Sequence, residues 1–470
     1  MSLSKDKVFT GKRAVLIGLG TRTHVSLARY LVRRGAAVTI SDAKQEERLR
    51  EEIALLGDLP VRLSLGGHRA EDVLDADVIF VTPGAPRELP VLVEAQKRGI
   101  PISSEIELLL EICPASVVGI TGSSGKTTTT TLVGEILKAD GRKVMVGGNI
   151  GVPLIERIDE MDTETWVALE LSSFQLEYAR KSPKIAAILN VTPNHLDRHH
   201  TFENYLEAKK NIIHYQGPAD YAVFNLDDPA SCGVASEAIG RVLLFSRQSE
   251  VREGAYLRDG TIHVRLGGLD REVCQVGELK LPGEHNVENA LAAAAISTAA
   301  GALPKSIAAV LTSFAGVEHR LELVREIDGI KFYNDSIATS PERAIAGLLS
   351  FEQQVILIAG GKSKHLPLDE LIRTMRRKVK YLVLASELGL EIEQALAGAD
   401  EDGVIPRCHF ATLGEAALKA AEVARPGDIV LMSPGGTSFD EFKDFEERGQ
   451  YFKKLVQALS GKAPGEDDQK

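Results

Sequence analysis

The chain alternates between short apolar runs and stretches with the periodicity of an amphipathic helix. Residues 13–17 and 37–40 are two apolar runs, and a stretch with helical spacing lies between them. The same succession returns at 117–137 and at 355–385. Apolar runs of about four to eight residues that alternate with helices predict βα units and a mainly parallel sheet. We therefore expect an α/β fold built from doubly wound units.

The pattern divides into three parts, which suits a chain of 470 residues at about 150 residues per domain. We predict a Rossmann-like N-terminal domain over residues 1–104 and a Rossmann-like C-terminal domain over 315–460. Between them, residues 105–314 are predicted to form a P-loop ATPase-like, mononucleotide-binding domain with extra strands. The polar tail at 461–470 is expected to be disordered.

Three local patterns give finer predictions. Residues 278–281 are expected to add a strand to the central domain. The pair Asp328-Gly329, between two strand-like stretches, predicts a hairpin at the start of the C-terminal domain. A charged helix near the C-terminus is expected to contain both Phe442 and Phe445.

A glycine-rich turn joins a predicted strand to a predicted helix at residues 117–128, VVGITGSSGKTT. Backbone N–H groups of such a turn surround phosphate oxygens, with Lys126 on the β- and γ-phosphates and the Thr127 hydroxyl on Mg²⁺. The general phosphate-loop pattern has its first glycine where Ile120 stands. The remaining TGxxGKT indicates a nucleotide site, with an ordinary turn at a helix start as the alternative.

A second glycine turn, Gly18-Leu19-Gly20, follows the first strand, and Asp42 ends the next strand 22 residues after Gly20. This arrangement resembles the dinucleotide-binding fingerprint, in which an acid follows the turn by about 20 residues. Thr23 stands at the third glycine position, so the fingerprint is incomplete. A tight turn in an ordinary α/β unit fits these residues as well as a nucleotide site does.

The overall charge and the cysteines narrow the class of protein. A formal net charge of −11 argues against a nucleic-acid-binding protein. No apolar run is long enough to span a membrane, and the charged N-terminus lacks the apolar core of a signal peptide. The four cysteines are scattered, which is typical of reduced intracellular proteins. We expect a cytoplasmic protein without a nucleic-acid or membrane partner.

Three polar residues near predicted strand ends are candidates for metal chemistry. Glu170 ends an apolar strand and can share Mg²⁺ with Thr127, while a solvated strand-end carboxylate is the equal alternative. His195 follows another strand, where a hydrogen-bonded structural histidine is the commoner case. Lys209 stands on a predicted helix beside Lys210, where a solvated basic face is the simpler interpretation.

Eight motifs in chain order resemble those of the Mur ligase family, and the resemblance as a whole covers about residues 14–452. They are TGSSGKTT at 121–128, ELSSFQL at 170–176, NVTPNHLDR at 190–198, YLEAK at 205–209, HNVENA at 285–290, HR at 319–320, NDSIAT at 334–339 and SPGGTSFDEF at 433–442.

The resemblance implies three domains, which serve a UDP group, ATP and an incoming amino acid. It implies ATP-dependent amide formation. We expect a monomer, although the sequence does not determine the oligomeric state. The carboxylate of UDP-N-acetylmuramoyl-L-alanine attacks the γ-phosphate, and the amine of glutamate then displaces phosphate from the acyl phosphate. The motifs are most similar to the branch of the family that adds D-glutamate in peptidoglycan precursor synthesis, although either enantiomer of glutamate fits them.

The resemblance also implies a role for each matching residue. Lys126, His195, Lys209 and His319 would be catalytic. Two Mg²⁺ ions are implied, the first on Thr127 and Glu170 and the second on His195 and Lys209, whose carbamylation would create an anionic oxygen ligand. The remaining implied contacts are Gly122, Gly125, Thr128, Asn286, Asn289, Arg320 and Asp335 for ATP, Gly18, Gly20, Asp42 and Asn149 for the nucleotide-sugar substrate, and Thr339, Lys364, Ser438 and Phe445 for glutamate.

Two positions depart from the family pattern. Ile337 stands where the family often has a lysine near the phosphates, so either Lys362 or Lys364 supplies that charge or the lysine is dispensable in this branch. The turn GLGTRT at 18–23 lacks the usual last small residue, and Arg22 is an alternative contact for the diphosphate.

Two other functions fit parts of the sequence. A sister ligase that adds another amino acid or acts on folate would share the central motifs, but a folate ligase is expected to lack the N-terminal domain. A non-catalytic nucleotide-binding protein would need no second metal. The joint presence of Glu170, His195 and Lys209 therefore argues against it.

Overall fold

The computed structural model describes residues 9–20, 23–83, 85–149, 153–281, 283–397 and 405–460. The chain divides into two compact units, Met1–Phe314 and Ala315–Lys470. The described residues form three β-sheets, two in the first unit and one in the second. The predicted three-part α/β architecture is therefore confirmed, while the tail at 461–470 and Arg22 lie outside the described residues.

The first sheet is doubly wound and all its five strands are parallel. Its elements are β1 (Arg13–Ile17), α1 (Thr23–Arg33), β2 (Ala37–Asp42), α2 (Arg50–Leu56), β3 (Val61–Leu65), α3 (Ala70–Val73), β4 (Val78–Val81), α4 (Pro90–Lys97), β5 (Ile102–Ser103) and α5 (Glu105–Ile112). The strand order is β3-β2-β1-β4-β5. The direction of winding reverses between β1 and β4, and the crevice at such a point is where doubly wound sheets bind ligands.

The second sheet has nine strands in the order β14-β13-β12-β11-β10-β9-β6-β8-β7. Its elements are β6 (Ser116–Thr121), α6 (Lys126–Ala139), β7 (Lys143–Gly148), β8 (Thr165–Glu170), α7 (Ser173–Leu176), β9 (Ile185–Ile188), α8 (Leu196–His199), α9 (Phe202–His214), β10 (Tyr221–Asn225), α10 (Pro229–Val234), β11 (Arg241–Ser246), β12 (Gly254–Arg258), β13 (Thr261–Leu266), β14 (Leu269–Gln275), α11 (Glu284–Ala299) and α12 (Pro304–Leu311). Strands β12 to β14 pair antiparallel, and they extend a parallel core. The predicted extra strands are thus present.

The third sheet, in the second unit, has the order β15-β16-β20-β17-β18-β19, and only β15 is antiparallel to its neighbour. Its elements are β15 (Glu322–Ile327), β16 (Ile330–Asn334), α13 (Pro341–Leu349), β17 (Val355–Gly360), α14 (Asp369–Lys378), β18 (Val379–Ala385), α15 (Ser386–Ala397), β19 (Arg407–Phe410), α16 (Leu413–Val423), β20 (Ile429–Gly435) and α17 (Phe445–Ala458). The predicted hairpin joins β15 to β16. Asp328 and Gly329 at its tip both have positive φ, as tight hairpin turns require.

Two local predictions are wrong. Residues 278–281 are not a strand, because the ladder ends at Gln275, whose N–H donates to the Glu278 carboxylate over 2.9 Å and closes a 3-10 turn at Val276–Glu278. Phe442 lies before the last helix rather than in it. Asp444 accepts a hydrogen bond from the Glu447 N–H and so makes Phe445 the first helical residue.

A buried alanine-rich helix supports the central sheet. Every residue of α11 from Asn289 to Ser297 is buried, and the helix packs against α6. Small side chains allow this close approach, so the N-terminal turn of α11 lies beside the start of α6. Among the helices in the described ranges, none has both the length and the apolar composition that a membrane span requires.

Candidate active site

The glycine-rich loop connects β6 to α6 at the carboxyl edge of the central sheet. Gly122 and Gly125 have φ values of 154° and 78°, a region that favours glycine. A Cβ atom on Gly125 would lie 2.3 Å from Asn289 Oδ1, so close packing also requires glycine there. Helix α6 begins at Lys126, and its first N–H groups have no partner within the helix. The loop therefore has the strand, turn and helix end of a phosphate-binding site.

A buried carboxylate lies next to this loop. The Thr127 hydroxyl donates to Glu170 Oε2 over 2.7 Å, and Asn149 Nδ2 donates to Oε1 over 2.8 Å. Glu170 is only 2% exposed, so it is not the solvated strand-end carboxylate of the alternative interpretation. A carboxylate and a hydroxyl at this distance are oxygen ligands of the kind that Mg²⁺ prefers.

Lys209 is buried, with 1% of the residue exposed, and the solvated basic face is excluded for it. Its Nζ donates to Thr121 Oγ1 over 3.3 Å and to the Gly122 carbonyl over 2.9 Å, and it lies 4.5 Å from the centre of the Tyr205 ring. Within the described part of the chain no carboxylate pairs with it. Burial, and next the positive charge of Lys126, hold the pKa of Lys209 well below its ordinary value. The uncharged amine is therefore favoured.

Lys126 converges on the same loop. Its Nζ donates to the carbonyls of Gly122 and Ser123 over 2.9 and 3.0 Å. Lys126 and Lys209 thus share the Gly122 carbonyl as an acceptor. Two amines of like charge at one carbonyl oppose each other, which adds to the pressure on Lys209 to lose its proton.

His195 is exposed at the start of α8 and has a left-handed backbone, with φ of 53°. Its ring centre lies 5.1 Å from that of Phe174 and 6.4 Å from that of Tyr205, the ring beside Lys209. His199 in the same segment is a hydrogen-bonded structural histidine: it is buried, its Nε2 lies 3.0 Å from Ser173 Oγ, and it stacks on Phe174. Sequence analysis missed His199, although it stands directly after the NHLDR motif.

The two asparagines of the HNVENA motif lie beside the phosphate loop. Asn289 Nδ2 donates to Asn286 Oδ1 over 3.2 Å, and Asn289 Oδ1 accepts from Thr129 Oγ1 over 3.4 Å. The first turns of α6 and α11 therefore meet, and the structure brings these predicted nucleotide contacts together within the first unit.

The N-terminal turn and Asp42 lie at the switch point of the first sheet. Asp42 Oδ2 accepts from the Leu19 N–H over 2.7 Å, and Oδ1 accepts from the Lys44 N–H over 2.8 Å. Asp42 thereby holds the shape of its own turn. A Cβ atom on Gly18 would lie 2.5 Å from the Thr82 methyl group, whereas Gly20 has open space around it. A ligand role for Asp42 and the two glycines stays a prediction.

In the second unit, His319 and Asp335 are buried at the end of β16. Asn334 Nδ2 lies 2.9 Å from His319 Nδ1 and donates to it, which places the imidazole proton on Nε2. Asp335 accepts hydrogen bonds from the Leu321 N–H and the Ser433 hydroxyl. Burial raises the pKa of Asp335 to about 6, against the hydrogen bonds and the charge of Arg320.

The predicted glutamate contacts lie on neighbouring loops of this unit. An antiparallel bridge pairs Lys362 with Thr437 and so joins the loop of exposed Lys364 to the loop of buried Ser438. The other two contacts are Thr339, half-buried in the NDSIAT motif, and Phe445, whose carbonyl accepts from the Ser336 hydroxyl.

An arginine of the next helix, Arg343 in α13, contacts the loop in which Ile337 stands in place of a lysine. Arg343 Nη1 donates to the Ile337 carbonyl over 3.1 Å, and its charge also lowers the pKa of Asp335. Arg343 is thus a third candidate for the missing charge beside Lys362 and Lys364. Sequence analysis missed it because a spacing of six residues does not show that the Arg343 side chain, from the first turn of α13, reaches the Ile337 carbonyl.

Arg448 is a third residue that sequence analysis missed, after His199 and Arg343, and it is 3% exposed. Its guanidinium donates to the Ser336 hydroxyl and carbonyl over 3.0 and 2.9 Å, and to the Gly436 and Thr437 carbonyls over 3.1 and 3.0 Å. Burial lowers its pKa to about 10, so it stays charged at neutral pH. One side chain therefore fixes the NDSIAT loop to the SPGGTSFDEF loop.

Family models cover most of the chain. The Mur ligase MurD-like N-terminal domain matches residues 12–104, the Mur ligase middle domain matches 120–297, and the Mur ligase glutamate ligase domain matches 319–436.

Curated relatives match over nearly their full length. UDP-N-acetylmuramoylalanine–D-glutamate ligase of Symbiobacterium thermophilum is 48% identical over 96% of this chain and 98% of that protein. The protein of the same name from Acetivibrio thermocellus is 43% identical over 96% and 98%. The crystal structure of UDP-N-acetylmuramate–alanine ligase from Thermotoga maritima has a TM-score of 0.51 at 19% identity, over 95% of this chain and 99% of that one. At that identity the likeness shows the fold alone.

We expect Arg448→Met to destabilise the second unit by about 3 kcal/mol or more, because buried carbonyls and a hydroxyl lose their charged donor. Amide hydrogen exchange in segments 334–339 and 433–438 should speed up accordingly. Arg373→Met is the control, since Arg373 forms an exposed ion pair with Glu370. It should change stability by about 0.5 kcal/mol or less. Unchanged exchange in Arg448→Met would contradict the assigned role.

Proposed function

This chain belongs to the Mur ligase family, and we propose that it is the ATP-dependent ligase that joins D-glutamate to UDP-N-acetylmuramoyl-L-alanine during peptidoglycan precursor synthesis. Relatives named for this reaction are 40% to 48% identical to it over nearly the whole chain. The observation that carries the proposal is the buried Thr127–Glu170 pair beside the phosphate loop and the buried Lys209, whose pKa is lowered by burial. This arrangement suits the activation of a carboxylate by a nucleotide.

We assign the UDP group to residues 1–104, ATP to 105–314 and the amino acid to 315–460. The glycine turn at the switch point of the first sheet and the phosphate loop of the second support the first two assignments. In this proposal the protein is a monomer. It acts in the cytoplasm, where its nucleotide substrates are made and consumed.

The residues around the phosphate loop fit Mg²⁺ and ATP. When bound, ATP supplies the phosphoryl group that converts a poor electrophile, the substrate carboxylate, into an acyl phosphate with a good leaving group. Lys126 and the loop N–H groups, with Gly122, Gly125 and Thr128, would hold the phosphates. Thr127 and Glu170 would hold the first Mg²⁺, and Asn149 keeps the Glu170 carboxylate in its orientation while also reaching the nucleotide-sugar substrate.

We infer that Lys209 is carbamylated and holds a second Mg²⁺ together with His195. The unprotonated amine attacks the carbon of CO₂ and releases one proton, which gives a carbamate with a single negative charge shared by its two oxygens. A lowered pKa favours this step, because only the free amine is a nucleophile. The change also places an anion next to the positive charge of Lys126.

The second unit supplies the remaining groups. His319, with its proton on Nε2, would orient the reacting groups, and Arg320 and Asp335 stay predicted contacts of ATP. Glutamate would be received by Thr339, Lys364, Ser438 and the Phe445 backbone. Two carboxylates on the amino acid call for several separate donors, and the bridge between Lys362 and Thr437 keeps their loops adjacent.

Purified protein with ATP, Mg²⁺ and UDP-N-acetylmuramoyl-L-alanine should release phosphate only when D-glutamate is added. The comparison set is L-glutamate, meso-diaminopimelate and L-lysine, each at the same concentration. Release with another amino acid would favour the sister-ligase alternative. Nucleotide binding without release in any mixture would favour a non-catalytic protein.

Lys209→Ala should lower turnover by roughly a thousandfold or more without unfolding the protein, and a short carboxylate such as acetate should restore part of it. Carbon-13 NMR after incubation with ¹³C-bicarbonate should show a carbamate signal in the wild type alone. Lys210→Ala is the matched control, since Lys210 pairs with Glu207 and Glu237 at the surface. Full activity of Lys209→Ala would refute the carbamate.

We expect Arg343→Met to weaken ATP binding about tenfold, which corresponds to about 1.4 kcal/mol of binding free energy. Adding Ile337→Lys to the Arg343→Met variant should restore the affinity. Calorimetry with a non-hydrolysable ATP analogue measures both variants. Lys362→Met and Lys364→Met test the other two cations, and a larger loss in either would transfer the assignment from Arg343. Wild-type affinity in all three variants would show that the charge is dispensable.

A further inference from the structure

We propose that Arg198 is a positioning residue that couples the nucleotide-sugar crevice of the first sheet to the His195 segment of the second sheet, with Arg87 as its counterpart. Both sheets belong to the first compact unit. The inference rests on the function proposed above and adds to it a route of communication between two substrates. The loop after β4, described here at residues 82–83 and 85–87, is called the β4 loop.

The β4 loop is held to the crevice on one side. The Thr82 N–H donates to the Ile17 carbonyl over 3.1 Å, and the Ala85 N–H donates to the Thr82 carbonyl over 3.0 Å. The Thr82 methyl group also packs closely on the Gly18 turn, since a Cβ atom added to Gly18 would lie only 2.5 Å from it. A ligand that moves the Gly18 turn therefore moves the β4 loop as well.

Arg198 holds the same loop from the other side. Its Nη2 donates to the Ala85 carbonyl, which lies 113 residues earlier in the chain, on the side of the first sheet. Its guanidinium carbon lies 5.8 Å from the centre of the Phe174 ring, the ring that His195 also contacts. Arg198 is in the same short helix, α8, that begins directly after His195. A displacement of Ala85 is thus passed to the helix that directly follows the proposed metal ligand, His195.

Arg87 makes the reverse connection. It donates from Nη2 to the Glu177 carbonyl, its Nε lies 3.6 Å from Glu177 Oε2, and its guanidinium carbon lies 4.7 Å from the centre of the Tyr178 ring. Tyr178 in turn packs against the apolar core of the first sheet. The other Glu177 oxygen lies 3.4 Å from His199 Nδ1. One arginine from each side therefore crosses the junction.

The chemistry of arginine suits this task better than that of lysine. A planar guanidinium can donate to a carbonyl and lie against an aromatic ring at the same time, whereas an ammonium acts as a point charge. Because both contacts of Arg198 are short-range, they transmit position rather than a diffuse field. The expected result is a coupling free energy between two ligands, which has to be reciprocal.

Calorimetry on the full chain tests the proposal with UDP-N-acetylmuramoyl-L-alanine and a non-hydrolysable ATP analogue with Mg²⁺. In the wild type, each ligand should tighten the other by about fivefold or more, with the same factor in both orders of addition. In Arg198→Met the factor should fall below about twofold, while each ligand alone binds within about threefold of the wild type. Arg87→Met should reduce the factor in the same direction.

Arg98→Met is the matched control, because Arg98, directly after α4, forms an exposed ion pair with Glu94 of that helix. It should keep the wild-type factor. An unchanged factor in Arg198→Met, or a wild type that binds both ligands independently, would overturn the coupling. A wild type that binds the ATP analogue but not the nucleotide sugar would overturn the proposed function itself. Retained affinity for each single ligand shows that a variant is folded.

Discussion

Burial of an amine that has no carboxylate partner among the residues the structure describes is the constraint on which the central site depends. Lys209 is nearly inaccessible, and its acceptors are a hydroxyl and a carbonyl that Lys126 also uses. A charged ammonium in this position would be strongly unfavourable, so the amine gives up its proton or reacts. The same packing that brings α9 against the phosphate loop thus sets the chemical state of the lysine. Structure and reactivity have one cause here.

The second unit shows the other solution to a buried cation. Arg448 keeps its charge because carbonyls and a hydroxyl accept from every nitrogen of its guanidinium. Burial can lower the pKa of a lysine as far as neutral pH, whereas the pKa of the buried Arg448 guanidinium, about 10, stays well above neutral pH. The chemical nature of the side chain, and not burial alone, therefore distinguishes the reactive Lys209 from the structural Arg448. Both residues lie next to loops on which the proposed chemistry depends.

Much of the fold could be predicted because its determinants are local. The run from Val117 to Thr128 encodes a strand, a turn and a helix start in consecutive residues, and Asp328-Gly329 encodes a hairpin tip. The strand predicted at 278–281 does not form, because the Glu278 carboxylate accepts a hydrogen bond from the Gln275 N–H and closes a turn. The alternation of apolar residues does not report such a side-chain contact. Burial of Lys209 and Arg448 could not be predicted, because it is decided by elements distant in sequence. A lysine beside another lysine on a helix has the same pattern whether it points to solvent or to a loop.

The placement of the candidate residues has a common logic. Parallel strands end at one edge of a sheet, so the polar residues that follow β1, β4, β6, β8 and β9 collect at the carboxyl edges of two sheets in one unit. Once both edges are occupied by loops, any side chain long enough to reach from one edge to the other links the two ligand positions. Arg87 and Arg198 have that length and that location. A multi-substrate reaction whose steps must follow in order gains from such a link, because each ligand then favours the loop conformation that its co-substrate requires.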